Sequence, residues 1–144
     1  MINGPPALVD TNVLIHSYDT SSDHCGDCKI LLDNGEDGLC DLILTPQVLA
    51  EFFTVVTNSQ KTPNPLSKDD ALHEMRLLAR IYKMIDCPSD VLGRVDGLLT
   101  QLDFSGKQIH DLFLVATMFA HGITHIYTYD ALFEKIPGVT VLTP

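Results

Sequence analysis

The sequence predicts an α/β fold, a parallel sheet covered by helices on both faces, in one domain spanning residues 1–144. Three observations carry that prediction. Strand-length apolar runs alternate with stretches of helical periodicity, the pattern that builds parallel sheets. Of the 144 residues, 45% are hydrophobic and 19% charged, which supplies one proper core. No internal repeat, low-complexity tract or second domain is visible.

The elements follow in order. Ala7 to Asp10 reads as a short buried strand that ends on an acid, and Asn12 to Tyr18 as a helix with Thr11 or Asn12 as its cap. Ser21 to Leu32 has Cys28, Leu31 and Leu32 at helical spacing, and Asn34-Gly35 and Asp37-Gly38 read as turns. Asp41 to Thr45 is the second strand. Pro46 then opens a helix to Thr57 whose stripe is Val48, Leu49, Phe52, Val55 and Val56. Lys61 to Ser67, with two prolines, is a loop. Ser67 caps the next helix, for which Ala71, Leu72, Met75, Leu78, Ala79 and Tyr82 are the expected buried face. Lys83 to Asp86 is a third strand, Ser89 to Leu102 a helix, and Gln108 to Ala120 another, stopped by Gly122. His125 to Thr128 and Val139 to Leu142 are the last strands.

Four acids then stand out. Asp10 ends the first strand and Asp130 follows the fourth, so both belong at the carboxyl edge of a parallel sheet, where such sheets bind ligands. Glu51 lies in the second turn of the helix leaving the second strand, near the same edge. Asp111 lies in the first turn of its helix, where the macrodipole favours an ionised carboxylate. Clustered carboxylates repel unless a cation sits among them, and Mg²⁺ or Mn²⁺ is the natural occupant of an all-oxygen site. Such a site suits phosphodiester hydrolysis with no side-chain nucleophile. Thr11, Asn12 and Thr128 carry short polar groups fit to orient the carboxylates. Taken singly, each acid has a plainer reading as a helix cap, a first-turn acid or a solvated helix residue. Taken together they read as one metal site.

The motifs around these acids resemble a known family. Asp10-Thr11-Asn12-Val13-Leu14-Ile15 is similar to the opening motif of PIN-domain ribonucleases, in particular the VapC-type toxins of type II toxin–antitoxin pairs. Glu51 in Gln47-Val48-Leu49-Ala50-Glu51-Phe52 and Asp111 in His110-Asp111-Leu112-Phe113 resemble the second and third acids. Thr128-Tyr129-Asp130 before the final strand resembles the ending. The resemblance implies five parallel strands, a Mg²⁺- or Mn²⁺-dependent endoribonuclease acting on RNA, and a homodimer. It also implies a cognate antitoxin protein that occupies the active-site groove.

Other features narrow the field. A phosphatase of the haloacid dehalogenase type needs an acid two positions after the first Asp, and Asn12 cannot donate that proton. The net charge of −10 opposes tight, sequence-blind binding to long nucleic acid. The alternative is a non-cleaving PIN-like RNA- or protein-binding module, against which the presence of all four acids argues. Cys25 and Cys28, beside His24, lack further zinc ligands at sensible spacing and read as incidental reduced thiols. His110 beside Asp111 reads as a solvated or capping residue, with a place near substrate as the sharper option. No apolar run is long enough for a membrane span, and no basic leader precedes Asp10. A cytoplasmic protein with no membrane partner is expected.

Overall fold

The computed structural model describes residues 2–144. Five strands form one parallel sheet: β1 (Ala7–Val9), β2 (Leu42–Leu44), β3 (Lys83–Met84), β4 (His125–Tyr127) and β5 (Thr140–Leu142), in the order β3-β2-β1-β4-β5. Six α-helices connect them: α1 (Thr11–Tyr18), α2 (Cys25–Glu36), α3 (Pro46–Val56), α4 (Lys68–Ile81), α5 (Val91–Gln101) and α6 (Ile109–Ala120). Short 3-10 turns at Gly106–Gln108 and Ala131–Lys135 complete the chain. The α/β class and the parallel pairing agree with the sequence-based expectation.

Burial explains the layering. Every residue of β1 and β2 is buried, as strands covered on both faces require. Helix α1 packs on α2 and α3, and α3 on α4, whereas α5 packs on α6. With right-handed crossovers, these two groups cover opposite faces of the sheet. Leu8, Ile43, Leu44, Ile126, Phe52, Leu112 and Phe133 are among the fully buried side chains that join sheet and helices into one core.

Several local expectations need correction. The cap of α1 is neither Thr11 nor Asn12 but Asp10, whose carboxylate accepts the Thr11 N–H. Asn34-Gly35 is not a turn; α2 continues through it to Glu36. The reason is tertiary. A Cβ on Gly35 would stand 2.5 Å from Leu42 Cδ1 and 3.1 Å from Tyr82 Cε1, so glycine lets the helix lie flush on the β2 side chain. The true turn is at Gly38, with φ +73. On α4, Ala71 and Leu78 are buried as expected, and Tyr82 after it is buried too. Leu72 and Ala79 are exposed instead. That helix lies near the sheet edge, and its apolar stripe is only partly covered. Strand β3 is two residues long, shorter than the run Lys83–Asp86.

Candidate active site

Register builds the site. Val9 pairs with Tyr127, so the next residues, Asp10 and Thr128, leave the sheet side by side, and the Asp10 N–H donates to the Tyr127 carbonyl at 3.0 Å. Strands β2 and β4 flank β1, and the chain runs from β1 toward β2 on one side while β4 and β5 lie on the other. The gap between β1 and β4 is therefore the topological switch point, the place where open α/β sheets take ligands.

The Thr128 hydroxyl, almost fully buried, is satisfied on all sides. It donates to Asp10 Oδ2 at 2.8 Å and accepts from the Asn12 side-chain amide at 3.0 Å and from the Asp130 N–H at 3.0 Å. Asn12 also donates to Asp10 Oδ2 at 3.2 Å and accepts the Tyr129 N–H at 3.2 Å through Oδ1. The Thr11 hydroxyl donates to Glu51 Oε2 at 2.9 Å, tying α1 to α3. Asp130 Oδ1 accepts the Leu132 N–H at 2.9 Å, capping the turn that follows. Thr11, Asn12 and Thr128 thus each touch an acid or a neighbour of one.

Gln47 was not singled out by the sequence. Its side-chain amide donates to the His110 carbonyl at 2.8 Å and reaches Glu51 Oε1 at 3.5 Å, which holds the first turn of α6 against α3. The only available signal was its position one turn before Glu51. His110 itself is exposed, and its backbone makes the contact.

The electrostatics show that the four carboxylates share one field. Burial pushes Asp10 up to about 6; bonds from Thr128 and Thr11 oppose the rise, and Glu51 and Asp130 add to it. Asp111 is also pushed up to about 6, by burial first and then by Asp10, Asp130 and Glu51, with His110 opposing. The helix N-terminus was expected to keep Asp111 readily ionised; burial and three like charges outweigh it. Asp10 is 7% exposed, Glu51 and Asp111 are half-buried and Asp130 is exposed. Hence only one of the four is a truly buried charge.

Among the described residues the one ion pair is Arg94 with Asp90, so no basic side chain bridges to these acids. A set of hard oxygen donors without a basic partner fits a divalent cation in chemistry. It is not a finished cage: among the described residues, no three or more His, Cys, Asp or Glu are grouped to hold a metal ion as they stand. Each of Asp10, Glu51 and Asp130 gives at least one oxygen to a protein donor. Beside Glu51 runs a groove of about 370 Å³ lined by Thr11, Ala50, Glu51, Thr54, Val55 and Lys61, which puts one basic residue on its wall.

Cys25 and Cys28 are buried free thiols, the former against the Ser17 carbonyl and the latter 3.6 Å from the Tyr129 hydroxyl.

Fold and site define a parallel α/β domain with acids at its switch point. The PIN domain family model matches residues 7–139, so the chain belongs to the PIN domain family. Solved structures give the same fold at low identity. VapBC2 from Rickettsia felis, bound to a DNA fragment from its promoter, is 16% identical with a TM-score of 0.70, covering 97% of this chain and 99% of that one. VapC20 from Mycobacterium tuberculosis, a sarcin-ricin loop cleaving toxin, is 17% identical with a TM-score of 0.70, covering 96% and 99%. FitAcB from Neisseria gonorrhoeae is 18% identical with a TM-score of 0.66, covering 96% and 97%. The comparison with curated proteins finds no match.

Proposed function

We propose that this PIN domain is a Mg²⁺- or Mn²⁺-dependent endoribonuclease, the toxin of a toxin–antitoxin pair. The observation that carries the reading is the common field of Asp10, Glu51, Asp111 and Asp130, four acids from separate elements with no ion-pair partner among the described residues. Family membership supports it, as does likeness in fold to a toxin that cleaves the sarcin-ricin loop and to toxin–antitoxin complexes.

Asp10, Glu51, Asp111 and Asp130 are the residues that would hold the ion. When bound, Mg²⁺ or Mn²⁺ supplies an activated water and offsets charge growing on the scissile phosphate. The chain's own part is positional. Thr128 and Asn12 fix one oxygen of Asp10, Thr11 fixes one of Glu51, and Gln47 locks the turn that carries Asp111 to the helix that carries Glu51. Fixed carboxylates reorganise little during reaction, which lowers the barrier. Lys61, on the groove wall beside Glu51, is the group able to meet a substrate phosphate.

The test is cleavage of a total small-RNA pool by the purified protein with Mg²⁺, with Mn²⁺ and with chelator, alongside Asp10→Asn. Metal-dependent cuts absent from the variant are expected; cuts that persist in it would overturn the assignment. A small DNA-binding protein with a disordered tail, encoded next to this chain, is the expected antitoxin. The second reading, a module that binds RNA or protein without cutting, is favoured by the carboxylates, which among the described residues are not grouped as a metal cage. Its signature is calorimetric metal binding with no turnover on any RNA.

A further inference from the structure

Beside the acids lies a cluster of rings that the hydrolysis does not use. The rings of His24 and Tyr129 are stacked, with centroids 4.1 Å apart and planes 24° apart. His16 stands edge-on to both, 5.0 Å from His24 and 5.2 Å from Tyr129. Every member but the outermost is fastened. The Tyr129 hydroxyl meets the Cys28 thiol at 3.6 Å, and its N–H donates to Asn12 Oδ1 at 3.2 Å. His16 Nδ1 is 2.7 Å from the Ser22 hydroxyl. His24 is exposed, and its side chain makes no capping bond at the start of α2.

The stack is indexed to the candidate active site. Tyr129 lies between Thr128, which bonds Asp10, and Asp130, so about 3.8 Å of backbone separates it from each. Asn12 links the two regions directly, since one amide holds both the Tyr129 N–H and Asp10 Oδ2. A pile of rings with one open end, set next to a site for phosphodiester chemistry, matches the way proteins hold splayed single-stranded bases. The surrounding charge selects the base over the phosphate, because Asp19, Asp23 and Asp27 lie in the same segment and repel anions.

We propose that the exposed face of His24, backed by Tyr129 and buttressed by His16, is a stacking platform for an unstacked nucleobase of the RNA next to the cut. The proposal rests on the ribonuclease reading for its substrate. Tyr129 and His16 are positioning residues that keep the His24 ring flat and fixed. Preformed rings bind a base without paying to order themselves, so the platform favours single-stranded loops over paired helices.

The test separates this from the nuclease assignment. A short single-stranded RNA carrying one 2-aminopurine is titrated into the full chain in the presence of chelator, so that no cleavage occurs. Stacking is read by fluorescence quenching and by ring-current shifts of the His24 ring protons. Quenching is expected in the wild type and in Asp10→Asn, about tenfold weaker binding in His24→Ala, and recovery in His24→Phe. The same 2-aminopurine RNA held in a perfect duplex is expected to leave the His24 signals unmoved. Unchanged affinity in His24→Ala, no recovery in His24→Phe, or unshifted His24 protons would overturn the platform even if metal-dependent cleavage is intact. Stacking without cleavage in any metal would leave the platform standing and remove the nuclease.

Discussion

Thr128 and Asp10 stand 118 positions apart in the chain and share one hydrogen bond. Replacing that hydroxyl by a methyl of similar size isolates its role. Thr128→Val should keep the fold and lower cleavage roughly 10- to 100-fold, as loss of an orienting partner does; steady-state rates with far-ultraviolet circular dichroism check both. Asp10→Asn should lose cleavage and gain stability in the metal-free protein. The pH dependence has a definite sign. Asp10 binds its proton more tightly folded, at about 6, than at its ordinary value of 3.8. Between those values the folded state holds more protons, so stability from this group falls as pH rises through the window, by about 3 kcal/mol in all. Below about 4 both states are protonated and the cost is gone. Thermal melts in chelator should therefore drop from pH 4 to pH 7, and Asp10→Asn should flatten that slope. Added Mg²⁺ or Mn²⁺ should raise the melting temperature more at pH 7 than at pH 4, because only the ionised site holds the ion.

At the scale of elements, Gly35 shows why local rules fail in one direction. Ala is the better helix former by about 1 kcal/mol, but here its methyl would enter the space of Leu42 and Tyr82. Gly35→Ala should thus be destabilising by about 1 kcal/mol net, measured by urea unfolding. The strand ends were legible in the sequence because parallel register carries Asp10 and Asp130 to one edge whatever the helices do. Glu51 follows from its offset after Pro46, and the Ser67 cap from its hydroxyl, whereas Thr45, read as the last strand residue, is the cap of α3. Gly35 was misread because Asn-Gly is a turn signal only when nothing packs against it. The His16, His24 and Tyr129 stack left no periodic trace, since it forms where the α1–α2 connection meets the end of β4. Gln47 was missed for a similar reason: its partner is a backbone carbonyl on a distant helix.

For the whole molecule, the charge balance sets the expectation. With nine Lys and Arg against nineteen Asp and Glu, few phosphates can be neutralised, so RNA affinity should change little with salt between 50 and 200 mM. A steep salt slope would indicate a basic surface supplied by a partner. Leu72 and Ile81 of α4 remain 39% and 40% exposed on opposite sides of the helix, and a homodimer through the Leu72 side would cover that residue. Leu72→Asp should then sediment as a monomer where the wild type does not. No helix among the described residues is long and apolar enough to cross a membrane.

The loop from Lys61 to Ser67 divides the acids evenly, two before it and two after. No single stretch of the chain contains the site. β1 is the middle strand and pairs with β2 from the first piece and β4 from the second, so a chain cut in that loop should give two fragments that are each inert alone. The domain is thereby a natural split reporter: fused to two proteins that associate, the halves should regain RNA cleavage in proportion to that association. Cleavage by either half alone would mean that fewer than four acids suffice.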